Sequence, residues 1–169
     1  TNWSAFLFGT FAVPSTVSAE TDTSTGSQYY AFTGIDTSIK RFDVIFRSYS
    51  NNGNNEIRLQ LGNASGYATS GYNCGAGYWR DSTSTKEHKT GGFESSGLAG
   101  SSYYTTGKWE CTKIEARWFC NAIFYTTSAN DHVFYCCGYV DIANLNSVRF
   151  GGANGIGDGG AVQLVTYSG

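Results

Sequence analysis

The side chains able to do chemistry are few and scattered. Histidine occurs twice, as His88 in a polar run beside Glu87 and as His132 at the head of an aromatic run. A Ser/His/Asp or Cys/His centre needs partners that only a fold can assemble, and no G-x-S-x-G nucleophile elbow is present. Both histidines therefore read as rim or surface residues. Paired carboxylates would suit glycoside hydrolysis. Glu110 and Glu115 flank Cys111, but their odd spacing puts them on opposite faces of a strand. Metal chemistry is no better provided for. Cys136-Cys137 is followed by no further close ligand, and the run Asn154 to Asp158 offers one carboxylate among glycines. Neither a phosphate-binding loop nor a dinucleotide fingerprint occurs. The expectation is no enzyme, no cofactor and no metal.

Aromatic side chains make the stronger case, and the chemistry they suit is contact. The segment Gly66 to Trp79 sets Tyr67, Tyr72, Tyr78 and Trp79 among Gly, Ser and Asn, and Tyr103-Tyr104 has a similar polar setting. Rigid rings in small polar surroundings suit sugar stacking or protein contact, because they bury much area at little entropic loss. Two loop-like segments, Tyr67 to Trp79 and Arg80 to Tyr104, carry them. Tyr72, Tyr78, Trp79, Tyr103 and Tyr104 are the binding candidates, with Asn73 and Arg80 as hydrogen-bond donors. The alternative for each ring is a place in the core.

The elements that must position these residues are strands. In Lys40 to Ser48, Phe42, Val44 and Phe46 alternate with Arg41, Asp43, Ile45 and Arg47. In Glu56 to Leu61, Ile57, Leu59 and Leu61 point inward while Arg58 and Gln60 point outward. The intervening Asn51 to Asn55 reads as a hairpin turn, since Asn and Gly tolerate positive φ. Lys113 to Ala122 reads as one strand with Ile114, Ala116, Trp118, Cys120 and Ala122 inward. His132 to Val140, Leu145 to Phe150 and Ala161 to Tyr167 complete the strand set, with the Gly-rich Gly151 to Gly160 separating the last two. Residues 80–108 read as a long connection with one short strand near Phe93. No window carries a clean helical period. The expected fold is all-β: eight to ten strands in an antiparallel, jelly-roll-like β-sandwich. It is a single domain over residues 1–169, with 1–29 as first strand and lead-in. Phe42, Val44, Phe46, Ile57, Leu59, Leu61, Ile114 and Trp118 are its predicted core.

Composition narrows the partners. The net charge of −2 advertises neither nucleic acid nor an anionic membrane. Charged residues are only 14% of the chain and aromatics reach 16%, which leaves more apolar surface than one small sandwich should expose. An oligomer is expected. No apolar run spans a bilayer, and Ala5 to Val13 reads as an ordinary first strand rather than a signal peptide. With no Met in the chain, Thr1 reads as a processed or trimmed end. The odd count of five cysteines reads as reduced thiols in a protein that folds in a reducing cytosol, with one or two later bridges as the alternative. Cys136 and Cys137 should face opposite ways along a strand.

The stretch Tyr30 to Tyr72 resembles a domain of bacteriophage tail-fibre and virion surface proteins. The residues concerned are Phe32-Thr33-Gly34-Ile35, Ile39-Lys40-Arg41-Phe42, Ile57 to Gly62, then Tyr67 with Thr69 to Tyr72. Leu145 to Phe150, a Gly/Asn-rich loop and a last strand at Val162 to Tyr167 resemble that domain's ending. The resemblance implies a virion structural protein on the particle surface, made in the host cytoplasm. Such a module docks to other virion proteins, is often trimeric, and presents loops to a host surface glycan or protein. Capsid decoration is the alternative role, and a carbohydrate-binding, lectin-like module the second alternative.

Overall fold

The structure is a computed structural model describing residues 14–53, 56–80, 83–96, 103–127 and 132–168. Among these residues there are fourteen strands and no helix. In chain order they are β1 (Pro14–Val17), β2 (Thr21–Asp22), β3 (Tyr29–Thr33), β4 (Arg41–Asn51), β5 (Ile57–Asn63), β6 (Gly66–Tyr67) and β7 (Asn73–Arg80). There follow β8 (Thr83–Lys89), β9 (Phe93–Glu94), β10 (Tyr104–Ile114), β11 (Arg117–Thr127), β12 (His132–Asp141), β13 (Ser147–Gly152) and β14 (Gly157–Tyr167). A nine-stranded antiparallel sheet runs β1-β14-β4-β10-β11-β12-β7-β8, with β2 also on β14. A five-stranded sheet runs β3-β13-β5-β6, with β9 also on β5. The two pack face to face as a β-sandwich.

Alternation explains the packing. Phe42, Val44 and Phe46 are fully buried, as are Leu59 and Leu61 opposite them. Phe46 on the large sheet lies 5.0 Å from the Phe150 ring on the small one, and 5.3 and 5.1 Å from Trp109 and Phe124. This aromatic cluster joins the sheets. The predicted phase is therefore right at seven of the eight core positions. Ile114 is the exception, 56% exposed. Lys113 to Ala122 is not one strand: the chain reverses at Glu115-Ala116, between β10 and β11, with Glu115 at φ 57°. That reversal contains no Gly, Asn or Pro to announce it, and it throws Ile114 and Ala116 outside.

The strands on either side of the Asn-rich segment do not form a hairpin. β4 pairs with β14 and β10, whereas β5 pairs with β13, so the chain crosses from one sheet to the other there. The β13–β14 connection crosses back beside it. Asn52 N–H donates to the Ile156 carbonyl at 3.0 Å, and Ile156 N–H donates to Asn52 Oδ1 at 3.1 Å. Two adjacent arches thus align β4 with β14 in one sheet and β5 with β13 in the other.

Other expectations also shift. The strands outnumber the eight to ten foreseen, because residues 83–89 form β8 and residues 73–80 form β7 rather than loops. Gly157 to Gly160 belong to β14, so the Gly-rich loop shrinks to residues 153–156. Ala5 to Val13 lies outside the described residues. The residues carrying the phage resemblance are architectural: Ile35 and Ile39 are buried, Gly34 takes φ 72° to turn the chain, and Ile57 to Gly62 is the centre of the small sheet.

Candidate binding face

The structure separates the predicted contact residues by strand parity. Tyr72 lies in the core rather than on the surface expected of it. It is 2% exposed, its ring meets Phe93 edge-on at 5.0 Å, and its hydroxyl accepts the Leu61 N–H at 2.8 Å. Burial pushes its phenol up to about 12. Tyr78 faces inward too, half-buried against Phe134 and His132. Tyr103 is half-buried. Arg80 pairs with Thr83 through its backbone, while its side chain lies outside the described atoms. Trp79, Tyr104 and Asn73 do reach solvent, all on the outer face of the large sheet.

That face has two halves. Over β14, β4 and β10 it is charged. Asp43, only 3% exposed, accepts from the Tyr167 hydroxyl at 3.1 Å and lies 3.4 Å from Arg41 Nε. Arg41 also reaches Glu110 at 2.8 Å and stacks over the Tyr167 ring, and Lys108 meets Glu110 at 2.9 Å. Burial, then the Asp43 carboxylate, pushes the Tyr167 phenol up. The hydrogen bond to Glu110 raises Lys108. Gln60, on the outer face of the small sheet, is likewise buried yet satisfied, donating to the Gly91 carbonyl and accepting from Arg149. Thus Asp43 and Gln60 keep the outward phase predicted for them and are covered by neighbouring side chains.

Over β11, β12 and β7 the outer face is apolar and aromatic. Ile123 is 69% exposed, Trp79 54%, Tyr125 45% and Phe119 39%, with Ile45 of β4 at 38%. The register sets Phe119 beside Tyr139, Ile123 beside Tyr135 and Tyr125 beside Val133. Trp79 packs on Tyr135 at 4.7 Å between ring centroids. Sequence reading missed Phe119, Ile123, Tyr125, Tyr135 and Tyr139. A signal was present: from Trp118 to Tyr125 the chain is apolar in both phases, too much for a strand with one wet face.

A groove of about 480 Å³ lies at the β7–β8 side of this half, with Cys137, Tyr135, Lys86 and His88 on its walls. Its floor is open because the residue paired with both Cys137 and His88 is Gly75; a Cβ there would meet only the Cys137 carbonyl at 3.9 Å. His88 Nε2 lies 3.1 Å from Asn73 Oδ1, and Asn73 Nδ2 donates to the Tyr139 hydroxyl at 3.0 Å. A tyrosine ring beside polar groups and an open floor can hold a polar ring with one apolar face, such as a sugar.

The cysteines need correction. Cys111 and Cys120, opposite each other across the β10–β11 hairpin, form a disulfide, so the chain is not fully reduced. Cys136 is buried and Cys137 exposed, in line with opposite faces. No cluster of three His, Cys, Asp or Glu side chains placed to hold a metal occurs among the described residues. No described helix is long and apolar enough to cross a membrane. In comparison with known proteins, no family model, curated protein or solved structure matches the chain, and so none links it to phage tail-fibre domains.

Proposed function

We propose that the chain is a non-enzymatic surface module of a bacteriophage virion, of tail-fibre or receptor-binding type. It docks on neighbouring subunits, a trimer of itself included, through the apolar half of its outer face, and turns its loops toward the host. One observation carries the docking: Ile123, Tyr125, Phe119 and Trp79 are exposed together on one side of one sheet. Contiguous apolar surface of this kind is what interaction sites look like on soluble proteins. The virion setting rests on the Tyr30 to Tyr72 resemblance.

Light scattering and cosedimentation with virions test it. The wild-type chain should exceed the 18.2 kDa of one copy and sediment with particles, and Ile123→Asp should lose both while remaining folded. A stable monomer that ignores particles overturns the proposal. Imaging the labelled chain on the particle separates tail location from the alternative, capsid decoration.

A carbohydrate-binding role is the second reading, favoured by the Tyr135 ring, on which Trp79 packs, lining a groove with His88 and the Gly75 floor. On a glycan array the wild-type chain should bind a defined sugar and Tyr135→Ala should not. Binding that survives Tyr135→Ala would remove the groove from consideration.

A further inference from the structure

Three cysteines remain outside the hairpin bridge: Cys74, Cys136 and Cys137. Cys74 on β7 and Cys136 on β12 are buried, at 0% and 1% exposure, and their sulfurs stand 3.0 Å apart. The register explains the approach. Cys136 pairs with Ala76 and Cys74 with Gly138, so the two cysteines are diagonal neighbours on adjacent strands. Gly138 leaves the space open: a Cβ there would lie 2.6 Å from the Cys74 Cα and 2.2 Å from the Asn73 carbonyl oxygen. Cys137, one residue on, points to the opposite face and cannot compete for Cys74.

The geometry points to a second disulfide site, Cys74–Cys136, closed by a small two-electron oxidant of the peroxide class and leaving Cys137 as the single free thiol. The sulfurs need to close by about 1 Å to reach bonding distance. Cys74 is the attacking group. Its thiol is held below the usual value, chiefly by the S–H of Cys136 donating to it, against the opposing effect of burial, while Cys136 is pushed up. The Cys74 thiolate attacks one peroxide oxygen, the O–O bond breaks, and a sulfenic acid and hydroxide result. The Cys136 sulfur then attacks the sulfenic sulfur, its proton leaving with the departing hydroxide as water. Two thiols and one hydrogen peroxide give one disulfide and two waters. Peroxide is small enough to reach a buried pair through local opening of the β7–β8 edge.

Such a bridge would clamp β7, which carries Trp79 and Asn73, to the centre of the large sheet. It closes a long loop, so the melting temperature should rise by roughly 10 °C.

The test uses the full chain, treated with stoichiometric hydrogen peroxide and alkylated in denaturant without reductant. The expected result is a fall from three alkylatable thiols to one, a mass lower by two hydrogens, a peptide joining Cys74 to Cys136, and the higher melting temperature. Cys137→Ser should retain the last three changes, and Cys136→Ala should lose them. Three thiols surviving oxidation, or a cross-link through Cys137, overturns the assignment. The wild-type measurement decides the matter even if a core cysteine variant fails to fold.

Discussion

The two faces of β11 are built from similar residues and meet opposite fates. Trp118, Cys120, Ala122 and Phe124 are buried against the small sheet, while Phe119, Ile123 and Tyr125, alternating with them, stand in solvent. Hydrophobicity therefore did not decide which side became core. Coverage did: the five-stranded sheet lies over one face of the nine-stranded one, and among the described residues nothing lies over the other. The inner face tells how the chain is held together, and the outer face is where the proposed docking would act.

Substitutions on the two faces should separate these roles. Trp109→Ala removes an indole packed on Phe46 and Phe124, at 5.3 and 4.5 Å. Loss of such a buried ring should cost about 3–5 kcal/mol in urea denaturation. Ile123→Asp, on the outer side of the neighbouring strand, should change stability by less than about 0.5 kcal/mol. A large loss from Ile123→Asp would show that its face is packed in the folded chain, and the comparison would fail.

Next in size is the hairpin bridge. Replacing Cys111 and Cys120 together by Ala should lower stability by about 2–3 kcal/mol, the entropy of releasing a short closed loop. Thermal melts of the double variant against wild type measure it. A smaller loss would mean that the β10–β11 pairing already orders the hairpin in the unfolded chain.

The inner face should also show itself at alkaline pH. The Tyr72 phenol is raised by burial to about 12 from the ordinary 10.0. The unfolded chain thus releases this proton first. The stabilisation is complete below about pH 10 and is lost as pH rises toward 12, amounting to about 2–3 kcal/mol. Denaturation midpoints across that window should fall, and less steeply in Tyr72→Phe. Equal slopes would place the phenol in water.

The smallest effect on stability, and the sharpest on binding, belongs to the groove. A Cβ at Gly75 has open space, so Gly75→Val should leave the melting temperature nearly unchanged while filling the floor. If it binds glycans as the wild type does, the groove is not the sugar site.

How much of this was legible before folding can be told from single residues. Phe42 and Leu59 announced themselves because a strand's period of two is a local property of the backbone, and any sheet membership preserves it. Tyr72 did not, because its neighbours are small and polar; only the small sheet, by placing the Leu61 N–H at its hydroxyl, made it core. Trp79 was found for the same loop-like context that misled about Tyr72; Trp79 takes the outward phase of β7, whereas Tyr72, just before that strand, packs on Phe93. The surplus of apolar surface was legible in composition, but not that Phe119, Ile123 and Tyr125 would carry it, because that depends on which sheet face is left uncovered.

The amino-acid order alone thus determined that the chain is all-β, which phase of each clear strand is apolar, and that Cys136 and Cys137 diverge. Those properties depend on neighbours a few residues away. Tertiary structure decided that β4 and β5 join different sheets, that Cys111 meets Cys120 and Cys74 meets Cys136, and that one apolar face is left uncovered by the described residues. Each of these depends on hydrogen-bond partners far along the chain, and the pairing energy of a strand edge is much the same for many partners. Register and coverage are chosen by the whole core at once, which is why no local run of residues could reveal them.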